Sequence, residues 1–125
     1  MSKTETPMIR RYWEMVGGTL IEEFPAVKGT RYQGARRIDA IIIKNGKRRI
    51  AKSNEVSLKG KDIICVQAKN HRLGMYLMGQ TFFSDQLLRR FEPSSITSVA
   101  LCAKDDAVLR PLIEQYPQMK VVVIA

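Results

Sequence analysis

The sequence predicts an α/β fold in which a mixed central sheet is flanked by helices. In the second half of the chain, strand-like and helix-like segments alternate, and such strand–helix–strand units pair their strands in parallel. In the first half, strand-like segments follow one another directly, as in an antiparallel meander. Residues 63–66 are all apolar, which is typical of a strand buried on both faces at the centre of a sheet.

The chain opens with a helix predicted over residues 6–16. Thr6 suits the N-cap, and Pro7 suits the first helical position, where a missing N–H costs nothing. The apolar residues at helical spacing, which we expect to face the core, are Ile9, Trp13 and Val16. Residues 19–24 form a short strand that Pro25 ends, because proline cannot donate to a ladder.

Three further strands are predicted in the middle of the chain. In order, they cover residues 37–44, 47–52 and 61–68. Asn45-Gly46 between the first two is typical of a hairpin turn, so we expect those two strands to pair antiparallel. Residues 28–35 have the composition of a loop or an irregular strand start, and residues 53–60 give no clear pattern.

The last four elements alternate between helix and strand. They are a helix over residues 72–91, a strand over 96–103, a helix from 105 to about 116 and a strand over 120–124. Asn70 and Asp105 are placed to cap the two helices, and Pro93 ends the first of them. With 125 residues, the chain fits one domain over residues 1–125.

Composition argues against several classes of protein. No apolar run approaches the roughly 20 residues that span a bilayer, and residues 1–7 lack the apolar core of a signal peptide. We therefore expect a cytoplasmic protein with no membrane partner. Cys65 and Cys102 lie in apolar runs, so we expect two buried, reduced thiols. With a single histidine, they cannot complete a four-ligand zinc site.

Positive charge is concentrated in one stretch of the sequence. Residues 28–72 hold 13 Lys and Arg against Asp39, Glu55 and Asp62, whereas the rest of the chain is nearly neutral. A focused basic region attracts polyanions, DNA and RNA alike. A set of solvated, lysine-rich loops would give the same pattern.

Three polar residues lie where a sheet would bring them together. Asp39 is a carboxylate inside an apolar strand, which is costly unless it is paired or binds a cation. Gln67 and Lys69 lie two residues apart at the end of a later strand, so their side chains share a face. Asp39 and Gln67 offer the oxygen ligands that Mg²⁺ prefers, and Lys69 could stabilise charge on a phosphoryl group.

The segment from Asp39 to Gln67-Ala68-Lys69 resembles the Asp…(Glu/Gln)-x-Lys signature of the PD-(D/E)XK nuclease superfamily. Its Gln-x-Lys form is similar to that of Mrr-type restriction endonucleases. The element order resembles the restriction endonuclease-like αβββαβ core, which Holliday-junction resolvases share. Gln67 stands where the usual signature has a glutamate, so one negative charge is missing.

The resemblance implies a metal-dependent DNA endonuclease that hydrolyses phosphodiester bonds, as a module of a restriction, repair or defence system. The catalytic residues that it implies are Asp39, Gln67, Lys69, Glu14 from the first helix and Gln80 from the helix after the Lys69 strand. The ligands expected for Mg²⁺ or Mn²⁺ are Asp39, Gln67 and Glu14. The cations expected to contact DNA are Arg31, Arg36, Arg37, Lys44, Lys47, Arg48, Arg49, Lys52 and Arg72. The alternative is a catalytically inactive, nuclease-like subunit that binds nucleic acid.

The same residues have structural interpretations. Asp39 could form an ion pair with a neighbouring arginine, and Gln67 and Lys69 could be ordinary residues at a strand end. Gln80 could bond a backbone carbonyl inside the core. The apolar side chains of the helix over 72–91 could fill the core or form the interface of a homodimer. The members of this apolar group are Met75, Met78, Phe82 and Phe83.

Overall fold

The computed structural model describes residues 3–124 and has a six-stranded sheet with three α-helices in that range. The helices are α1 (Glu5–Val16), α2 (Met75–Leu88) and α3 (Leu109–Glu114). The strands are β1 (Thr19–Val27), β2 (Arg36–Ile43), β3 (Arg49–Ala51), β4 (Asp62–Arg72), β5 (Ser95–Lys104) and β6 (Met119–Val123). The predicted α/β fold with a mixed central sheet is confirmed. Within the described range, no helix is long and apolar enough to cross a membrane.

The strands lie in the order β3-β1-β2-β4-β5-β6. The pairs β1–β2 and β2–β4 are antiparallel, whereas β4–β5, β5–β6 and β1–β3 are parallel. The parallel pairing of the second half is therefore confirmed, and the meander of the first half is confirmed for β1, β2 and β4 but not for β3. Residues 63–66 of β4 are buried on both faces, as their apolar run predicts.

The helices cover both faces of the sheet. Met8 and Ile9 of α1 pack on one face, in a core cluster that includes Val66 of β4. On the other face, Leu77 of α2 and Ile113 of α3 share a core cluster with side chains of β5 and β6. The inward positions of α1 differ in part from the prediction, because the buried face of the helix runs through residues 5, 8, 9 and 12. Trp13 is half-buried and Val16 is exposed, whereas the unpredicted Tyr12 is buried.

The N-cap and first helical residue of α1 lie two residues earlier than predicted. Thr4 occupies the N-cap position, Glu5 is the first helical residue, and Thr6 and Pro7 lie inside the first turn. Pro7 is tolerated at the third helical position because the first N–H groups of a helix have no intrahelical acceptor. Glu5 is therefore the first residue of α1.

The predicted hairpin is wrong, although its turn is present. The Gly46 amide donates to the Ile43 carbonyl at 3.2 Å, so the chain does turn after β2. It then crosses the end of β1, and β3 pairs in parallel with β1 instead of returning along β2. The Thr19 hydroxyl at the start of β1 holds this crossing by donating to the Lys47 carbonyl at 2.6 Å. A Cβ at Gly46 would collide with that hydroxyl, so the close approach requires glycine.

The end predicted for β1 is also wrong, since the strand continues past Pro25 to Val27. Pro25 pairs with Arg37 on the β2 side. On its other side β3 has already ended, because β3 pairs only with residues 19–21 of β1. Pro25 therefore lies on a local edge, where no neighbouring strand requires its N–H.

The boundaries around the later helices shift by a few residues. Strand β4 runs to Arg72, so Asn70 is a strand residue and Gly74 occupies the N-cap position of α2. Helix α3 is only six residues long. Its start is held by Asp106 rather than Asp105, since the Asp106 carboxylate accepts two backbone amides of that turn at 2.9 Å.

Both cysteines are buried and free, as predicted. Burial raises the pKa of the Cys65 thiol far above its usual range, and the neighbouring Asp85 carboxylate adds to the effect. Burial also raises the pKa of the Cys102 thiol. Both are therefore uncharged, packed side chains at neutral pH.

Candidate functional site

Strands β2 and β4 separate at Asp39. Their backbones pair from Ile43↔Ile63 to Ala40↔Val66, and beyond that point side chains bridge the two strands. The Asp39 carboxylate accepts a hydrogen bond from the Ala68 amide at 2.9 Å. The Asp39 amide donates to Oε1 of Gln67 at 3.4 Å. The sheet thus brings Asp39 and Gln67 together at an opening in its own hydrogen-bond ladder.

Strand β1 is distorted on the other side of Asp39. Glu22 pairs with Ala40 and Phe24 with Ile38, so Glu23 is the residue level with Asp39. Glu23 has a φ of 51°, in the left-handed region that side-chain-bearing residues rarely adopt. Asp39 therefore lies between a strained neighbour and a strand that turns away, an arrangement found often at functional sites.

The polar ends of Gln67 are fixed by the protein. The side chain is 4% exposed, and its Nε2 donates to the Ser84 hydroxyl of α2 at 2.6 Å. This contact turns Oε1 toward Asp39. Gln80 lies one helical turn before Ser84, half-buried in the same wall, so the structure also brings the predicted helix glutamine to this region.

Lys69 lies next to Asp39 and Gln67, two residues beyond Gln67 on the same strand. Its side chain is half-buried, and Nζ is 5.7 Å from the centroid of the Tyr76 ring on α2. Its charge acts to lower the pKa of Asp39, although it does not dominate that pKa. A cation held by an aromatic face beside a carboxylate can interact with an anionic substrate.

The pKa of Asp39 is raised above its ordinary value. Burial of the carboxylate is the largest cause, and the nearby Glu5 carboxylate raises it further. The Ala68 amide and Lys69 oppose these effects. The predicted alternative, an ion pair between Asp39 and Arg36 or Arg37, is not formed in the part of the chain that the structure describes. A cation bound beside Asp39 would favour its charged form.

The first helix brings Glu5 to the site and leaves Glu14 away from it. Glu5 is 8% exposed and close enough to Asp39 to affect its pKa, whereas Glu14 is exposed. Glu14 follows Glu5 by nine positions, which places the two residues about 13 Å apart along the helix axis and half a turn apart around it. The two side chains therefore point in opposite directions. Sequence reasoning missed Glu5 because the helix was expected to begin at Thr6.

The donor set fits a hard divalent cation. Asp39, Glu5 and Gln67 provide two carboxylates and an amide oxygen, the kinds of ligand that Mg²⁺ accepts while it keeps several waters. Within residues 3–124, no cluster of three or more His, Cys, Asp and Glu side chains is able to hold a metal ion. A cation at this site would therefore use the Gln67 oxygen and water beside the two carboxylates.

A cleft of about 700 Å³ opens beside Gln67, between the start of β2 and helix α2. Arg36, Arg37 and Ile38 form one wall, and residues of α2 form the other. The side chains and backbone that α2 contributes come from Met75, Tyr76, Gly79, Gln80, Phe83, Ser84 and Leu87. This volume is in the range of small-ligand sites, and the lining contains no acidic side chain.

The predicted DNA-contacting cations do not form one surface. Arg31, Arg36 and Arg37 lie at the end of the sheet that holds Asp39, and Arg72 lies at the same end of β4. A second group lies near the opposite end of the sheet, where β2 ends at Ile43. Lys44, the first residue of this group, is about 17 Å from Asp39 along the strand direction. This second group consists of Lys44, Lys47, Arg48 and Arg49. Lys52 directly follows β3 at the sheet edge.

In comparisons with known proteins, the chain matches no family model, no curated protein and no solved structure. The geometry at the opening between β2 and β4 is therefore the basis on which its function is inferred.

Proposed function

We propose that this chain is a metal-dependent endonuclease that hydrolyses phosphodiester bonds in DNA. One observation carries the proposal: the Asp39 carboxylate accepts the amide of Ala68, the residue between Gln67 and Lys69. All three residues of the signature thus meet where the sheet opens. The order α1-β1-β2-β4-α2-β5 follows the αβββαβ order of the PD-(D/E)XK superfamily, with β3 as an added edge strand, and it supports the same proposal.

Each residue has a role that its contacts support. Asp39, Glu5 and Gln67 would hold Mg²⁺ or Mn²⁺, whose chemistry is to polarise the scissile phosphate and lower the pKa of a bound water. The Ala68 amide fixes one oxygen of Asp39, and Ser84 fixes the Gln67 amide, so both side chains are oriented before a ligand arrives. Lys69 would stabilise negative charge that develops on the phosphoryl oxygens.

The cations at this end of the sheet would guide DNA to the site. Arg36 and Arg37 lie in the wall of the adjacent cleft, and Arg72 lies three residues beyond Lys69 on β4. Within residues 3–124, neither Arg36 nor Arg37 is paired with a carboxylate. Their guanidinium groups are therefore available for phosphate groups, which arginine binds in a bidentate manner.

The proposal predicts metal-dependent nicking of supercoiled plasmid, lost in variants at the site. Glu5→Gln and Lys69→Ala should each lower the nicking rate about a hundredfold or more, as removal of one preorganised electrostatic group does in other enzymes. The matched controls are Glu14→Gln on the same helix and Lys44→Ala at the far end of β2. Each makes the same change of side chain away from the site, so both should nick at the wild-type rate.

Two results would contradict the proposal. One is intact plasmid after incubation of the wild-type protein with Mg²⁺ or Mn²⁺ over a range of salt concentrations. The other is nicking that persists unchanged in Lys69→Ala, which would indicate a different site or a contaminating nuclease. If Glu5→Gln were fully active and Lys69→Ala were not, Glu5 would not be a metal ligand, whereas the proposed role of Lys69 would still hold.

A second candidate function is a catalytically inactive subunit that binds nucleic acid. The observation that favours it is the Gln67 amide, which is uncharged and already bonded at both ends by Asp39 and Ser84. For this function, DNA binding should depend steeply on salt and be unchanged by Mg²⁺, and the plasmid should stay intact. Fluorescence anisotropy with and without Mg²⁺, beside the nicking assay, separates the two functions.

A further inference from the structure

Helix α2 presents aromatic and apolar side chains to solvent beside the candidate site. Met75, Tyr76 and Phe83 are 75%, 72% and 67% exposed, and all three line the cleft next to Gln67. Side chains of this size are costly to expose together on a surface, and such patches mark binding sites. Gly79 lies among them and adds no side chain, which leaves the middle of this wall open.

The opposite wall carries positive charge. Arg36 and Arg37 line the cleft across from α2, and Nζ of Lys69 lies 5.7 Å from the centroid of the Tyr76 ring. Aromatic faces next to unpaired guanidinium groups suit a ligand that has both a flat ring and an anionic group. A nucleotide has both, since its base stacks on aromatic side chains and its phosphate pairs with arginine.

We propose that this cleft binds one unpaired nucleotide of the substrate strand, with its base against Tyr76 and Phe83 and its phosphate against Arg36 and Arg37. The inference rests on the proposed function, because it names the form of nucleic acid that the site accepts. A base in a duplex is stacked and paired, and it cannot reach aromatic side chains in a cleft unless it leaves the helix. The favoured substrates are therefore single strands, forks and flaps.

The polar lining of the cleft supports a base as the ligand rather than a purely apolar group. Gln80 lies between the two exposed aromatic residues along α2, Ser84 directly follows Phe83, and both offer hydrogen-bonding groups within the cleft. Gln67 forms its inner end, adjacent to Asp39. A nucleotide held here would place the neighbouring phosphodiester beside the candidate metal ligands.

The test measures binding in EDTA, where no metal-dependent cleavage takes place. Fluorescence anisotropy compares a labelled single strand, a forked duplex and a blunt duplex of the same sequence. The wild-type protein should bind the first two more tightly than the blunt duplex. Tyr76→Ala and Phe83→Ala should each weaken single-strand binding about tenfold, the loss expected for one stacked base. Both side chains are largely exposed, so both variants should fold.

Tyr32→Ala is the matched control. Tyr32 is 88% exposed, and the Arg31 guanidinium lies 5.7 Å from its ring centroid, so it is also an aromatic residue beside a cation. It is not part of the cleft lining. Its removal should change single-strand affinity less than twofold. An equal loss in Tyr32→Ala and Tyr76→Ala would overturn the assignment of the nucleotide to the cleft.

A crosslinking experiment identifies the contact directly. Single-stranded DNA with 5-iodouracil at one position should, on irradiation, form an adduct with Tyr76 or Phe83 that peptide mapping locates. Adducts only on residues outside the cleft would overturn the inference. Equal affinity for all three DNA forms would also overturn it. Sedimentation showing that Phe83→Ala only converts a dimer to monomers would overturn it as well, since a second copy of the chain would then cover this face.

The outcome is separable from that of the proposed function. If the wild-type protein nicks plasmid in Mg²⁺ but Tyr76→Ala binds single strands normally, the cleft assignment fails and the nuclease stands. If the cleft binds single strands as described but no DNA is cut, the inactive binding subunit replaces the nuclease. Both assays use the full chain.

Discussion

At the scale of single residues, Asp39 lies where several local features lower the stability of the fold. Its carboxylate is partly buried, a second carboxylate lies nearby, and the level residue on β1 has a left-handed backbone. The ladder between β2 and β4 is also lost at this point. Packing alone would favour an apolar residue here, and the proposed cation at Asp39 would account for the carboxylate.

Replacing Asp39 with asparagine should stabilise the protein at neutral pH. Because the pKa of Asp39 is raised in the folded state, mainly by burial, the folded protein binds more protons than the unfolded chain between the two pKa values. Stability therefore falls as the pH rises through that range, and the cost is complete once the pH lies above the pKa of the folded state. Asparagine keeps an oxygen for the Ala68 amide without the charge. The Asp39→Asn variant should have the higher Tm.

The pH dependence of Tm checks this explanation. The advantage of Asp39→Asn should shrink as the pH falls toward about 4, near the ordinary aspartate pKa, because the wild-type carboxyl is then protonated. Asp62→Asn is the control, since Asp62 lies at the far end of β4 and bonds the Ser95 hydroxyl at 2.7 Å. A lower Tm for Asp39→Asn than for wild type at neutral pH would refute the burial argument.

The local patterns of the sequence were sufficient to predict where Asp39, Gln67 and Lys69 would lie. A carboxylate in an isoleucine-rich strand and a period of two after a buried run are both local signals. Glu5 could not be found in this way. Its place depends on where α1 begins and on how that helix packs, and a glutamate in a first turn is ordinary for a helix. Glu14 was predicted instead, and it lies exposed on the same helix.

At the scale of elements, α2 is unusual because it is apolar on its outer face as well as its inner face. Leu77 and Leu88 are buried, while Met75, Tyr76 and Phe83 point outward. Exposed apolar side chains grouped in this way are typical of a binding surface. The proposed nucleotide accounts for the exposed residues that line the cleft.

Gly79, in the interior of α2, is not needed for folding. A Cβ at this position would have nothing within 4 Å, and alanine is favoured over glycine inside a helix by about 1 kcal/mol. Gly79→Ala should therefore raise the free energy of unfolding by about 1 kcal/mol in urea denaturation. A loss of stability in this variant would contradict the open space described here.

Gly18→Ala should have the opposite effect on the free energy of unfolding. Gly18 has a φ of +83°, and a Cβ there would collide with the Ile43 carbonyl oxygen. The same substitution should strongly destabilise the protein at Gly18, so the pair separates helix propensity from a required close approach.

Element types could be predicted well from the sequence, and pairing less well. The apolar run of β4 and the alternation of the second half are strong, local signals. The partner of β3 was not predictable, because Asn45-Gly46 fixes a turn but not the direction that the chain takes after it. That direction depends on the Thr19 hydroxyl, which is 28 residues away from its Lys47 partner. Such a contact leaves no local pattern.

At the scale of the whole molecule, folding divides the basic segment between opposite ends of the sheet. Arg37 lies at the site end, in the cleft wall. Arg48 lies near the other end, with its guanidinium 5.5 Å from the centroid of the Trp13 ring. Only the site-end cations are placed to contact a substrate bound at Asp39.

A salt titration of DNA affinity tests this division. Arg37→Gln should weaken binding and reduce the slope of log K against log salt by about 1, because one phosphate contact is lost. Arg48→Gln removes the same charge and should leave the slope unchanged. Equal effects from the two variants would mean that DNA binds over the whole basic surface, and the single binding face described here would be wrong.

Nicking of supercoiled plasmid in Mg²⁺, by the wild-type protein and by Asp39→Asn purified in parallel, decides whether the opening between β2 and β4 is a phosphodiesterase site built around Asp39. We predict that the wild-type protein nicks the plasmid and that the variant, although at least as stable, does not. Equal nicking by both proteins, or none by the wild type, would contradict it.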